Sequence, residues 1–206
     1  MTSHAKVMSL SIAAAISVMT TTVAAQSLSN EALVKALQHG GYVIVMRHAS
    51  SPRETPDAKT ANADNVNRER QLDETGRATA IAMGKALRQL NIPVGEVYSS
   101  PTYRALETIR LAQFPAPHTV PELGENGQSM QATTDAQSAW LQKKVTELPK
   151  GTNTILVTHF PNMNHAFPQW TSGLADGEAL VFGSDGKGGA TLLARVKIEE
   201  WPKLQP

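Results

Sequence analysis

The 206-residue sequence carries 19 Lys and Arg against 18 Asp and Glu, with 6 His and no Cys. A nearly neutral chain without a basic stripe argues against nucleic acid as a partner. The lack of cysteine excludes a disulfide, a thiolate nucleophile and a zinc–thiolate site, so stability must come from packing.

Residues 1–25 are expected to be a secretory signal peptide. His4 and Lys6 give a weakly basic start, Val7 to Met19 is apolar, and Val23 and Ala25 stand at −3 and −1 of a cleavage site before Gln26. The apolar core is too short to span a bilayer, and no later stretch is long and apolar enough to do so. The reading is therefore a periplasmic or secreted protein without stable membrane insertion, with residues 26–206 as one domain of about 180 residues.

In "LSNEALVKALQHGG" a short helix is expected, capped by Ser29 or Asn30, with Leu33, Val34 and Leu37 on one face and Gly40-Gly41 as its stop. Tyr42 to Met46 reads as a buried strand that ends in Arg47 and His48. Residues 49–70 lack periodicity and form a long loop, a feature that in a compact domain is usually functional or disordered. A helix follows from the N-cap Asp73, with Ala78, Ile81, Ala82, Leu87 and Leu90 as the expected buried stripe. "GEVYSS" is a short strand, and Ser100 is expected to cap the next helix with Pro101 at its first position. "HTVPE" is a further strand. The helix "TTDAQSAWLQKKVTELP" has Thr134 and Gln137 at capping-box spacing. "TNTILVTHF" is a strand ending in His159. A hairpin closes the chain around "GSDGKGG", with Leu192, Ala194, Val196 and Ile198 alternating in its last strand.

Helices alternating with short apolar strands predict an α/β three-layer sandwich, a mostly parallel central sheet with helices on both faces. Ligands of such sheets bind beyond the carboxyl ends of the strands. Three strands end in chemistry there: Arg47-His48, Ser99-Ser100 with Arg104 shortly after, and Thr158-His159. Guanidinium groups bind phosphate oxygens in pairs and stay charged. A neutral imidazole with one ring nitrogen held by a hydrogen bond is a competent nucleophile toward phosphorus. Phosphoryl transfer needs positioning and charge stabilisation, which these groups supply without a cofactor or metal.

These segments resemble the histidine phosphatase superfamily, branch 1, which is phosphoglycerate mutase-like. "VIVMRHAS" is similar to its Arg-His-Gly strand end, with Ala49 in place of Gly. "RQLDETGRATA", "VYSSPTYRALETI" and "ILVTHFPN" resemble its next three motifs in the same order. The resemblance implies His48 as the nucleophile that becomes phosphohistidine, with Arg47, Arg104 and His159 completing a phosphate pocket and Asn67 contacting the phosphate or ordering Arg47. It also implies a general acid after the second arginine, for which Glu122 is the candidate and Glu125 the reserve. Phe160 departs from the family's usual Gly and bears on which substrate fits.

The activity so implied is that of an exported, metal-independent phosphatase acting on a phosphorylated small molecule or envelope component. The rival readings are a non-catalytic binder of phosphorylated ligands and a mutase-like phosphotransferase; the leader argues against the second, whose work is cytosolic. The chain lacks the Arg-His-Gly-x-Arg-x-Pro extension and His-Asp pair of the acid phosphatase and phytase branch. A metal site from His48, His159 and His165 is disfavoured because neighbouring arginines repel a cation. His165 and the three tryptophans, Trp140, Trp170 and Trp201, read as structural.

Overall fold

The computed structural model describes residues 28–52, 70–124 and 133–205. The expected leader, Asn67 and Glu125 therefore lie outside the described residues. In chain order the elements are α1 (Asn30–His39), β1 (Val43–Arg47), α2 (Glu74–Gln89), β2 (Val94–Ser99), α3 (Tyr103–Ala112), β3 (His118–Thr119), α4 (Asp135–Lys144), β4 (Asn153–Thr158), α5 (Phe160–Ala166), β5 (Ala179–Ser184) and β6 (Ala190–Val196).

The strands form one sheet in the order β3-β2-β4-β1-β5-β6. Strands β1, β4, β2 and β3 pair in parallel, whereas β5 runs antiparallel to both β1 and β6. Alternation along β1 explains the layers. Ile44 and Met46 enter a core shared with α1, α2 and α3, while Val43 and Val45 enter a second core with Leu141 of α4 and Met163 of α5. A strand buried on both faces has no polar side, which is why residues 43–46 read as a continuous apolar run. The sequence-predicted three-layer α/β sandwich is the observed architecture.

Caps follow local chemistry. Ser29 Oγ accepts from the Ala32 N–H, Asp73 from the Gly76 N–H, and Thr134 with Gln137 forms the reciprocal capping box.

Four local expectations are corrected. In α2 the buried residues are Gly76, Ala80, Met83, Gly84, Ala86 and Leu87, while Ala78 is exposed and Ile81 is 48 % exposed. The face is chosen by close approach: a Cβ at Gly84 would stand 1.9 Å from the Ala112 carbonyl oxygen. Small residues let α2 and α3 touch, and the stripe turns toward them rather than toward the bulkiest side chains. Helix α3 starts at Tyr103, with Thr102 as N-cap, because Ser100 and Pro101 form a turn in which Ser100 Oγ accepts the Thr102 N–H. In β6 the register shifts between the Val181 and Phe182 pairs, leaving Leu193 as the extra residue. That bulge sends Leu192 to the second core while Ala194, Val196 and Ile198 stay in the first, so the expected alternation fails at Leu192. Finally, α5 follows His159 directly, where the sequence pattern predicts no element.

Candidate active site

Strands β2, β4 and β1 are neighbours in the sheet and end on one edge. Backbone bonds hold their ends together: His48 N–H donates to Thr158 O (2.9 Å), Ser100 N–H to Val157 O (2.9 Å), and Gly177 N–H to His48 O (3.0 Å). The register therefore delivers Arg47, His48 and His159 to one place.

Arg104, in the first turn of α3, completes the group. It is buried, and so are both histidines. Its Nε–H donates to His48 Nε2 at 3.2 Å, and its terminal nitrogen lies 3.1 Å from His159 Nδ1. One guanidinium thus spans two imidazoles whose centroids are 5.2 Å apart. Thr108, one turn on, donates to the Arg104 carbonyl (2.8 Å) and accepts the Ala49 N–H (3.1 Å), tying the helix to the segment after His48.

These partners assign the ring protons. His48 Nδ1 lies 2.8 Å from Ala49 O, an acceptor, so Nδ1 carries the hydrogen and Nε2 keeps its lone pair toward Arg104. In His159 the arrangement is reversed: Nδ1 accepts from Arg104 and Nε2–H donates to Ser100 Oγ at 2.8 Å. Burial holds the pKa of both histidines well below the ordinary imidazole range, and the Arg104 charge lowers them further. Both rings are neutral at pH 7.

The sign of the pH effect follows. In the unfolded chain the two imidazoles each take up a proton near the ordinary pKa of about 6.5, which the folded protein refuses. Stability from this pair is full above that pH and is lost as pH falls below it, at no more than about 2.7 kcal/mol per pH unit for two groups. Urea midpoints at pH 7 and pH 5 are expected to fall in the wild type, and His159→Gln should flatten that dependence. Equal slopes for the two proteins would show that the ring is protonated in the folded state.

Arg47 points across the edge to Asp176, with its terminal nitrogen 2.5 Å from Oδ1. Its Cζ stands 5.8 Å from the Phe160 ring centroid. Arg70, the first described residue after the long loop, places a terminal nitrogen 3.5 Å from His48 Nε2. Arg47, His48, Arg70, Phe160, Pro161 and Leu174 line a cavity of about 460 Å³. Three guanidiniums around a neutral imidazole make a site for a compact, multiply charged oxyanion.

The structure thus brings together Arg47, His48, Arg104 and His159 of the sequence-predicted residues. Glu122 sits in a short 3-10 turn, Pro121–Leu123, and is half-buried. Its carbonyl accepts from Asn162 Nδ2 (3.3 Å) and that of Leu123 from Thr158 Oγ1 (2.7 Å), which pins the turn beside the end of β4. Glu122 is not among the residues that line the cavity. Sequence reasoning missed Arg70, which closes an aperiodic polar loop; its only signal was a place just before the Leu72-Asp73 start of α2. It also missed Ser100 and Thr102 as partners of His159. Among the described residues no three His, Asp or Glu side chains gather as a metal ligand set, and His165 pairs with Asp135 at 2.9 Å.

Residues 43–138 match the family model described as histidine phosphatase superfamily (branch 1). No curated protein matches the chain by sequence. Solved structures do. A protein histidine phosphatase, SixA, complexed with tungstate is 18% identical, with a TM-score of 0.55 over 77% of this chain and 98% of that one. YhfR of Bacillus stearothermophilus is 16% identical, with a TM-score of 0.54 over 73% and 94%. A phosphoserine phosphatase variant of Entamoeba histolytica in complex with phosphoserine is 14% identical, with a TM-score of 0.51 over 77% and 98%. At these identities the likeness is one of fold.

Proposed function

Residues 43–138 of this chain match the histidine phosphatase superfamily (branch 1), and on that premise we propose that it is an exported, metal-independent phosphatase that hydrolyses a phosphomonoester through a phosphohistidine on His48. One observation carries the proposal. His48 is buried and neutral, its Nδ1–H is engaged by Ala49 O, and its Nε2 lone pair faces Arg104 and Arg70. That is how an imidazole must be held to attack phosphorus while its charge partners receive the phosphoryl oxygens.

In the first step Nε2 forms a bond to phosphorus as the bond to the leaving oxygen breaks. The leaving oxygen takes up one proton, and His48 Nδ1–H remains on Ala49 O, which favours the positive charge that develops on the ring. Arg104, Arg70 and Arg47 neutralise the equatorial oxygens, with His159 Nε2–H held on Ser100. In the second step a water oxygen attacks the same phosphorus from the opposite side, inorganic phosphate leaves, and His48 returns to its neutral form. Glu122 is the candidate donor of the leaving-group proton, with Glu125 as the reserve and Asn67 as a further phosphate contact. The leader-like first 25 residues support export. The fold shared with a tungstate-bound protein histidine phosphatase supports an oxyanion as the ligand.

The position of Glu122 outside the cavity lining favours a second reading, a binder that grips phosphorylated ligands without turnover. The two separate in one experiment. Protein incubated with 4-nitrophenyl phosphate is expected to release phosphate, with or without chelator, and mass spectrometry after a neutral quench should find an acid-labile, base-stable phosphoryl adduct on His48. Tight phosphate binding with neither release nor adduct would establish the binder. Activity that dies with chelator and returns with a divalent ion would overturn metal independence.

A further inference from the structure

The cavity beside His48 is lined by two kinds of side chain. Arg47 and Arg70 are cationic; Phe160, Pro161 and Leu174 are apolar. Phe160 opens α5, and its ring is half-buried, steadied by the Arg47 guanidinium at 5.8 Å. Leu174 is buried and passes its carbonyl toward Arg47 at 3.5 Å, so the apolar wall and the cationic wall are built on shared supports. Next to it, a Cβ at Gly173 would meet nothing within 4 Å, which leaves the mouth beyond the wall open.

A volume of about 460 Å³ lies in the range that encloses a whole small molecule rather than a phosphoryl group alone. The phosphoryl group belongs with His48 and the arginines. What remains for the organic part is a face of carbon: among the described lining residues the only polar side chains are the two arginines and His48. Hydroxyls pressed against Phe160, Pro161 and Leu174 would lose water and gain no partner. A flat ring loses nothing there and gains contact with an aromatic already fixed in position.

We propose that the substrate of this site is an aromatic phosphomonoester, its ring packed on Phe160 and Leu174 while its phosphoryl group lies between His48 and the arginines. This deepens the phosphatase reading and rests on it. Phe160 is the residue that sets the preference. Position 160 is where the sequence motif departs from its family's usual Gly, and a Gly there would remove the wall.

Two pairs of compounds test it. Benzylphosphonate and methylphosphonate carry the same anionic head and are not hydrolysed, so their affinities, read by calorimetry, report the ring alone. The wild type is expected to bind benzylphosphonate roughly ten-fold tighter or more, the scale of one buried ring contact. Phe160→Gly should erase the difference and Phe160→Trp should keep it. Should Phe160→Gly fail to fold, Phe160→Leu, which keeps bulk without an aromatic face, should narrow the ratio. The second pair is benzyl phosphate and glucose 6-phosphate, which both expel a primary alkoxide; kcat/KM is expected to favour the first by a similar factor. Equal binding of the two phosphonates, or a ratio that survives Phe160→Gly, overturns the proposal. Turnover of both esters without an aromatic preference overturns it and leaves the phosphatase reading standing. An aromatic binding preference without turnover of any ester overturns the phosphatase reading and leaves an aromatic phospho-ligand assigned to the site.

Discussion

Arg104→Ala is expected to lower kcat/KM by roughly 100- to 1,000-fold, the cost of removing a preorganised charge-bearing donor from a buried site. The side chain serves both imidazoles at once, through Nε to His48 and a terminal nitrogen to His159. Arg104→Lys keeps the charge but offers one point where the fork offered two. It should still cost about ten-fold or more, because either ring loses its charge-assisted partner. The variants also carry a signature that mere loosening would not produce. The Arg104 charge depresses the pKa of both histidines. Removing it lets His48 take a proton at higher pH, so the acid limb of the activity profile should move toward neutrality in Arg104→Ala and far less in Arg104→Lys. Wild-type kinetics with an unmoved acid limb would take Arg104 out of the reaction.

Gly76→Ala should be nearly as damaging, although residue 76 touches no ligand. A Cβ there would stand 2.1 Å from the Ser50 carbonyl oxygen and 2.9 Å from its backbone nitrogen. Backbone cannot rotate out of the way as a side chain can. Ser50 is also bolted to the start of α2, its carbonyl accepting from the Asp73 N–H (3.1 Å) and its hydroxyl donating to Asp73 Oδ2 (2.7 Å). The methyl group must therefore push the 48–51 segment away from the helix. Overpacking of this kind costs roughly 1–3 kcal/mol, and a nucleophile displaced by about 1 Å costs on the order of 100-fold in rate. The expected result is a lowered urea midpoint together with a kcat reduced far more than KM is raised. Thr75→Ala, on the exposed side of the same turn, should change neither. If Gly76→Ala loses stability but keeps kcat, the α2 start is not what sets the position of His48.

The strand ends were legible because burial on two faces leaves an unmistakable apolar run, and a run that stops on Arg47-His48 or His159 marks its own edge. Parallel order then follows from the intervening helices. What escaped has different physics. Arg70 ends a stretch with no period, so nothing local distinguishes it from the charged residues around it. Helix α5 is seven residues long, carries Pro161 and two Asn, and rests on the second core through Met163 and Ala166, with Phe160 packed at its edge. The true face of α2 is written in Gly76, Ala80 and Gly84, residues whose importance lies in what they lack. A bulge at Leu193 depends on its partner strand and leaves no trace in the alternation before it. The proposed general acid left the least trace: the Glu122 carbonyl is held beside β4 by Asn162 Nδ2, and neither spacing nor composition tells where its carboxylate goes.

Trp201 lies in a 3-10 turn near the end of the sequence, fully buried with Leu204 in the core under α1 and α2. Roughly a hundred residues of chain separate it from α2, so its indole reaches that groove only once a long loop has closed. Helix α2 can form its own turns early, yet it gains this part of its cover late. In refolding from urea, a variant whose only tryptophan is Trp201 should therefore report long-range assembly rather than local helix formation, and its indole fluorescence would time that step.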